Sequence, residues 1–177
     1  AGTVTVTNAN TLTGTAAQIT AALVTSGTKA TFSADPAATV TDINGQTVTA
    51  STINSINGLT TGVITISSAT AVTGTLSELN TLYAANSAGT ITGLGNEAIT
   101  VTGSVTSTDL ATLDGYTTGT VTVSTSSTTM AATTLNTLDT DSTTVVDAST
   151  ITTLTGNAAD INTAYASSGI SGLGNEA

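Results

Sequence analysis

Apolar positions in this chain fall into one recurring phrase. An apolar residue is followed by a short turn-like stretch and then by two apolar residues three or four apart, with a glycine and an alternating Thr/Val run behind them. Copies start at Leu12 (LTGTAAQITAAL), Val48 (VTASTINSI), Val72 (VTGTLSELNTLY), Val105 (VTSTDLATL), Met130 (MAATTLNTL) and Leu154 (LTGNAADINTAY). The shortest step, from Val48 to Val72 and again from Met130 to Leu154, defines a basal coil, and the steps from Leu12 to Val48 and from Val72 to Val105 are expanded versions of it. A second level of order lies above the first: GLGNEA occurs at 93–98 and again at 172–177, and the starts of coils two and three, Val48 and Val72, return at one common offset as Met130 and Leu154. The chain divides into two triplets of coils, 1–98 and 99–177, each closed by GLGNEA. Fixed periods of this size predict one continuous repeat structure, an α/β, β-rich solenoid of six coils, each with short strands and a two-turn helix.

The local chemistry of one coil supports that expectation. Thr15 with Gln18 and Thr75 with Glu78 have the spacing of a capping box, and Asn157 with Asp160 is a looser version. Behind each cap come apolar pairs, Ile19/Leu23, Leu79/Leu82 and Ile161/Tyr165, with Ile53/Ile56, Leu110/Leu113 and Leu135/Leu138 in the short coils. Their spacing puts one short helical face against a core. Gly27, Gly62, Gly89, Gly119 and Gly169 are placed to end these helices in the left-handed conformation. VITI at 63–66, TVTV at 120–123 and TVV at 144–146 then predict half-buried strands. A helix of two turns is unstable alone, so neighbouring coils must stack to cover these faces.

Composition narrows the chemistry. The 177 residues include 47 Thr and 18 Ser, with one Lys, no Arg, no His, no Cys and no Trp. An apolar fraction of 38% suffices for a narrow core of Val, Ile, Leu and Ala. The net charge of −10 and the single cation Lys29 argue against nucleic-acid binding and against docking on an anionic membrane. No apolar run reaches the roughly 18 residues of a membrane span. The chain begins at Ala1 without a start Met or leader and is read as an excerpt or a processed product. Near-absence of Lys and Arg leaves little for trypsin-like proteases, which suits bulk material outside a cell. Although the chain has 12 Asn, it carries no Asn-x-Ser/Thr acceptor, so N-linked sugar of that type is not expected, whereas O-linked sugar on Ser and Thr is open.

Lack of His, Cys and Arg excludes triads, thiol catalysis and histidine metal sites. A two-carboxylate hydrolase is the remaining enzymatic option. Glu78 and Asp160 already belong to caps, Asp109 suits a first helical turn, and Asp114, Asp139, Asp141 and Asp147 fall at helix ends or turns. No enzyme is therefore expected and no catalytic residue assigned. Calcium is the candidate ion, because hard cations take carboxylate and carbonyl oxygens from loops. Asp139 and Asp141, and the GLGNEA pairs Asn96/Glu97 and Asn175/Glu176, are its candidate ligands; turn chemistry is the other reading for the two aspartates, and a structural turn or bulge or a contact between chains for the GLGNEA pairs. The extra length of the first coil holds the only Lys (Lys29), Phe (Phe32) and Pro (Pro36), and reads as a surface excursion or as a contact for a neighbouring chain.

Two resemblances bear on function. Thr3 to Thr7, Thr47-Val48-Thr49, Thr90-Ile91-Thr92, Thr100-Val101-Thr102 and Thr120-Val121-Thr122 resemble the Thr-x-Thr motif of β-solenoid antifreeze proteins, which bind ice through flat threonine ranks; here the intervals are uneven. Across all six coils, lines such as VTGTLSELNTL and LTGNAADINTAY resemble the Thr-rich tandem repeats of giant cyanobacterial cell-surface and secreted proteins of the swimming-motility kind. That second resemblance implies an extracellular or cell-surface structural array: a fibre segment, coat or adhesin stalk that associates with itself end to end. The alternatives are an ice-binding β-solenoid and a calcium-dependent adhesion module.

Overall fold

The computed structural model describes residues 4–6, 11–24, 30–32, 35–41, 45–66, 69–103, 105, 107–124, 128–141, 145–174 and 176. They form a mixed α/β structure of short parallel strands and six helices, with no closed barrel among the described residues. Two compact units are present, one of Ala1–Val72 with Asn80–Leu94, the other of Thr73–Leu79 with Gly95–Ala177. After the exchange at 73–79 the chain passes into the second unit between Leu94 and Gly95. Gly95 and Glu97 already bond forward, their carbonyls accepting from Thr118 N and from the Thr117 hydroxyl respectively.

In the first unit the order is β1 (Val4–Val6), β2 (Thr11–Gly14), α1 (Ala16–Val24), β3 (Ala30–Phe32), β4 (Ala37–Val40), β5 (Thr47–Thr49), α2 (Ala50–Asn57), β6 (Ile64–Thr65) and β8 (Ile91–Thr92). The segments β7 (Ala71–Thr75) and α3 (Leu76–Ser87) are shared out between the units. Strands β2, β4, β6 and β8 lie side by side in that order, all parallel. Their register aligns Leu12, Ala38, Ile64 and Ile91 on one face and Thr13, Thr39, Thr65 and Thr92 on the other. Ala38, Ile64 and Ile91 are buried, and Leu12 is half-buried. Alternation with a period of two thus sorts apolar residues inward and hydroxyls outward.

The second unit repeats the scheme with β9 (Ala98–Thr102), α4 (Ser107–Asp114), β10 (Val121–Ser124), β11 (Thr129–Ala131), α5 (Ala132–Asp141), β12 (Val146–Asp147), β13 (Thr153–Thr155), α6 (Ala158–Ala166) and β14 (Ile170–Ser171). Strands β9, β10, β12 and β14 are parallel neighbours in sequence order. Val101, Val123, Val146 and Ile170 align inward, while Thr102, Ser124, Asp147 and Ser171 align outward. Helix α5 packs against both α4 and α6.

The anticipated caps form. Thr15 N donates to Gln18 Oε1 at 3.0 Å and Gln18 N to Thr15 Oγ1 at 3.2 Å. Thr75 N donates to Glu78 Oε2 at 2.9 Å, and Asp160 N to Asn157 Oδ1 at 2.9 Å. Ile53, Ile56, Leu79, Leu82, Leu110, Leu113, Leu135 and Leu138 are all buried, as their spacing requires. The pair Ile161/Tyr165 departs from this: Ile161 is half-buried, Tyr165 is 48% exposed, and α6 buries Ala164 instead.

The helix-stop glycines also need correction. Only Gly89 is left-handed, with φ +78°, and Thr90 N reaches back to Ala85 O as in a Schellman ending. Gly62, Gly119 and Gly169 keep ordinary φ values. They are glycine because a Cβ would collide with the Pro36 carbonyl, the Glu97 carbonyl and the Asp139 carboxylate. What looked like conformational punctuation is room for the preceding coil. Gly27 lies outside the described residues.

Deleting a buried leucine from so thin a core leaves a cavity that neighbours fill poorly. Leu113→Ala is expected to cost about 2–5 kcal/mol in urea unfolding, whereas Val24→Ala, at a side chain 61% exposed, should stay within about 0.5 kcal/mol.

Candidate functional site

Among the described residues no three acidic side chains gather closely enough to hold a metal ion. What the fold builds repeatedly is the joint between one coil and the next. Thr60 is buried; its hydroxyl donates to Pro36 O at 2.7 Å and accepts from Gly62 N at 3.1 Å. Thr117, also buried, does the same between Glu97 O and Gly119 N. In the third instance Ser167 donates to Asp139 Oδ2 at 2.6 Å and accepts from Gly169 N at 3.0 Å. One hydroxyl thereby satisfies an acceptor of the preceding coil and a donor of its own turn.

These three joints span 24, 20 and 28 residues, and further bonds between coils share the 24-residue step of the first. Thr60 and Pro36 are 24 residues apart, as are Thr70 and Gln46, Thr152 and Thr128, and Asn136 and Asp160. Thr152 N and Oγ1 donate to Thr128 O at 2.8 and 3.1 Å. Asn136 Nδ2 crosses from α5 to the Asp160 carbonyl in α6 at 2.9 Å. Each bond joins neutral groups, because the acceptors are backbone carbonyls.

The two GLGNEA loops share one conformation over their described residues. Gly95 and Gly174 have φ +135° and +140°, and in both loops the glutamate carboxylate accepts from the glycine N–H, Gly95 N to Glu97 Oε2 at 2.8 Å and Gly174 N to Glu176 Oε2 at 2.7 Å. Asn96 N adds a second bond to Glu97 Oε2 at 3.0 Å. Glu97 is 2% exposed, whereas Glu176 is half-buried and also takes the Tyr165 hydroxyl proton in a hydrogen bond. That bond, with desolvation and the Glu176 charge behind it, holds the Tyr165 phenol above its ordinary range.

The candidate ligands and contacts are dispersed. Asp139-Thr140-Asp141 forms the last turn of α5, which ends at Asp141. Asp139 bonds Ser167; the side chain of Asp141 is not among those described. Asn96 is exposed, and Asn175 lies outside the described residues. Asp147 Oδ1 accepts from Ser149 N at 3.0 Å, an Asx turn. In the first coil's excursion Pro36 is buried with its carbonyl on Thr60, Phe32 is half-buried at the end of β3, and Lys29 lies outside the described residues. Sequence reasoning missed the joints, whose signal was the hydroxyl-hydroxyl-Gly triplet at 60–62, 117–119 and 167–169.

No protein-family model, curated protein or solved structure matches this chain.

The joints and the GLGNEA loop can each be probed by substitution. Thr60→Val removes a buried hydroxyl and strands the Pro36 carbonyl, which should cost about 1–3 kcal/mol in thermal or urea unfolding. Thr61→Val, at an exposed hydroxyl on Asp35, should cost less. In an absorbance titration Tyr165 should ionise above the ordinary 10.0, and Glu176→Gln should bring it back toward that value. Because the folded value is the raised one, the contribution of this bond is present below pH 10.0 and is lost as pH rises through the folded value.

Proposed function

We propose that the chain is a segment of an extracellular or cell-surface structural array, an α/β solenoid acting as spacer, coat or adhesin stalk. The observation that carries this reading is the set of hydrogen bonds spaced 24 residues apart, the period at which the sequence repeats. When the sequence period equals the bonding period, each coil holds only its neighbours, and the array can be lengthened by whole coils. The function is then geometric. The side chains offer hydroxyls and scattered carboxylates for hydration, and the chain carries one Lys and no Arg. It works without catalysis or nucleic acid and associates with further copies of itself end to end. No described helix is long and apolar enough to cross a membrane. The resemblance of the coils to repeats of giant cyanobacterial surface proteins points the same way.

One observation favours a second reading. Thr13, Thr39, Thr65 and Thr92 stand in register on four adjacent strands, which repeat at about 4.8 Å. Such a rank suits an ordered water or ice surface. In the second unit the corresponding outward line is Thr102, Ser124, Asp147 and Ser171, whose carboxylate interrupts the regularity.

Coil deletion tests the first reading. Removing one whole basal coil, 130–153, brings Leu154 to the place of Met130 and keeps the Thr60 and Thr117 joints, while Ser167 loses its acceptor Asp139; the product should still be a cooperatively folded chain by circular dichroism, whereas removing 130–141 alone should unfold at least the second unit. If both deletions unfold the chain equally, the array reading fails. Inhibition of ice growth by the intact chain would transfer support to the second reading.

A further inference from the structure

Helix α5 shows how one helix is held to the next. Leu135 and Leu138 are 0% and 3% exposed, and between them Asn136 donates across to Asp160 O in α6. The same Leu/Ile-Asn step recurs in α6 as Ile161-Asn162. There Ile161 is half-buried, Asn162 is exposed, and Tyr165 is 48% exposed. The equivalent residues of the first triplet are Leu79, Asn80 and Tyr83: Leu79 and Tyr83 are 0% and 1% exposed, and Asn80 is half-buried. One motif is therefore covered in its first copy and open in its second.

The opposite kind of face lies on α1. That helix packs against α2, and a depression lined by Leu12, Thr13, Gln18, Ile19 and Ala22 opens beside it, in which Leu12 and Ala22 are half-buried and Ile19 is already 2% exposed. In the aligned coils Gln18 corresponds to Glu78 and Asp160. Asp160 is the residue whose carbonyl Asn136 reaches, two positions before the asparagine of its own helix. Gln18 stands one position before Ile19, as Asp160 stands before Ile161.

We infer that the α6 face of one copy docks on the α1 face of a second copy of this chain, Ile161 and Tyr165 covering the depression at Leu12 and Ala22 while Asn162 Nδ2 donates to the Gln18 backbone carbonyl. This continues the α4–α5–α6 packing by one more step, with the α5-to-α6 asparagine bond as its template. It rests on the reading of the chain as a self-associating array and specifies the contact. The arrangement is head to tail, so it propagates and does not close as a two-fold dimer.

The chain has no cysteine, so single cysteines report without background. Ala21→Cys on α1 and Ala166→Cys on α6, both at exposed positions, are mixed and treated with a short bismaleimide, with mass determined by light scattering in parallel. The expected result is crosslinks between the two variants and none within either alone. Asn162→Leu and Tyr165→Ser, whose folding is checked by circular dichroism, should each weaken association at least tenfold. Crosslinks within the Ala166→Cys variant alone, association unchanged in both face variants, or a chain that stays monomeric at high micromolar concentration would overturn the docking. If the chain lacking 130–153 still folds in that case, the array reading survives and only this contact is lost; if it does not, the reading itself has failed.

Discussion

The structure depends on a hydroxyl that serves two coils at once. Strands of two to five residues and helices of eight to twelve are too short to persist alone. They are held because Thr60, Thr117 and Ser167 each tie a turn to an acceptor in an earlier coil, with a glycine two positions on that lets the chains approach. Apolar burial supplies the bulk of the stabilisation, in ranks such as Val101, Val123, Val146 and Ile170. The hydroxyl joints supply register. A slip by one residue would turn each apolar rank outward and break every joint together.

This explains why threonine dominates. It is β-branched and so favours strands, its hydroxyl satisfies buried carbonyls at the joints, and it presents a neutral polar surface outside. Serine replaces it at 167, where the acceptor is the Asp139 side chain. The acids, by contrast, mostly serve local turns and caps: Glu78 and Asp160 at helix starts, Glu97 and Glu176 inside the GLGNEA loops, Asp147 in an Asx turn.

Much of the local structure was legible in the sequence. Capping boxes at Thr15 and Thr75 and the buried pairs from Ile53 to Leu138 follow from spacing alone. The glycines were legible as positions but not as causes. Gly62 and Gly119 looked like left-handed stops because both stand shortly after a helix; their real neighbours, the carbonyls of Pro36 and Glu97, are distant in sequence. Asp139 and Asp141 are legible as a helix end, and α5 does end at Asp141; the bond from Ser167 to Asp139 is not legible, because its donor stands 28 residues further on. Tyr165 was assigned to a core by periodicity, which records which face a residue shares and not whether anything covers that face.

The joints at Thr60 and Thr117 end on backbone carbonyls and are neutral, whereas Ser167 meets the Asp139 carboxylate, and the neutrality of the first two reaches beyond architecture. Bonds between hydroxyls or side-chain amides and backbone carbonyls are not weakened by dissolved ions as surface ion pairs are. The chain also repels itself through a net charge of −10, and added salt relieves that. A fold tied mainly by such neutral bonds is expected to hold better in brine than in fresh water, which is the reverse of what a lattice of surface salt bridges would do.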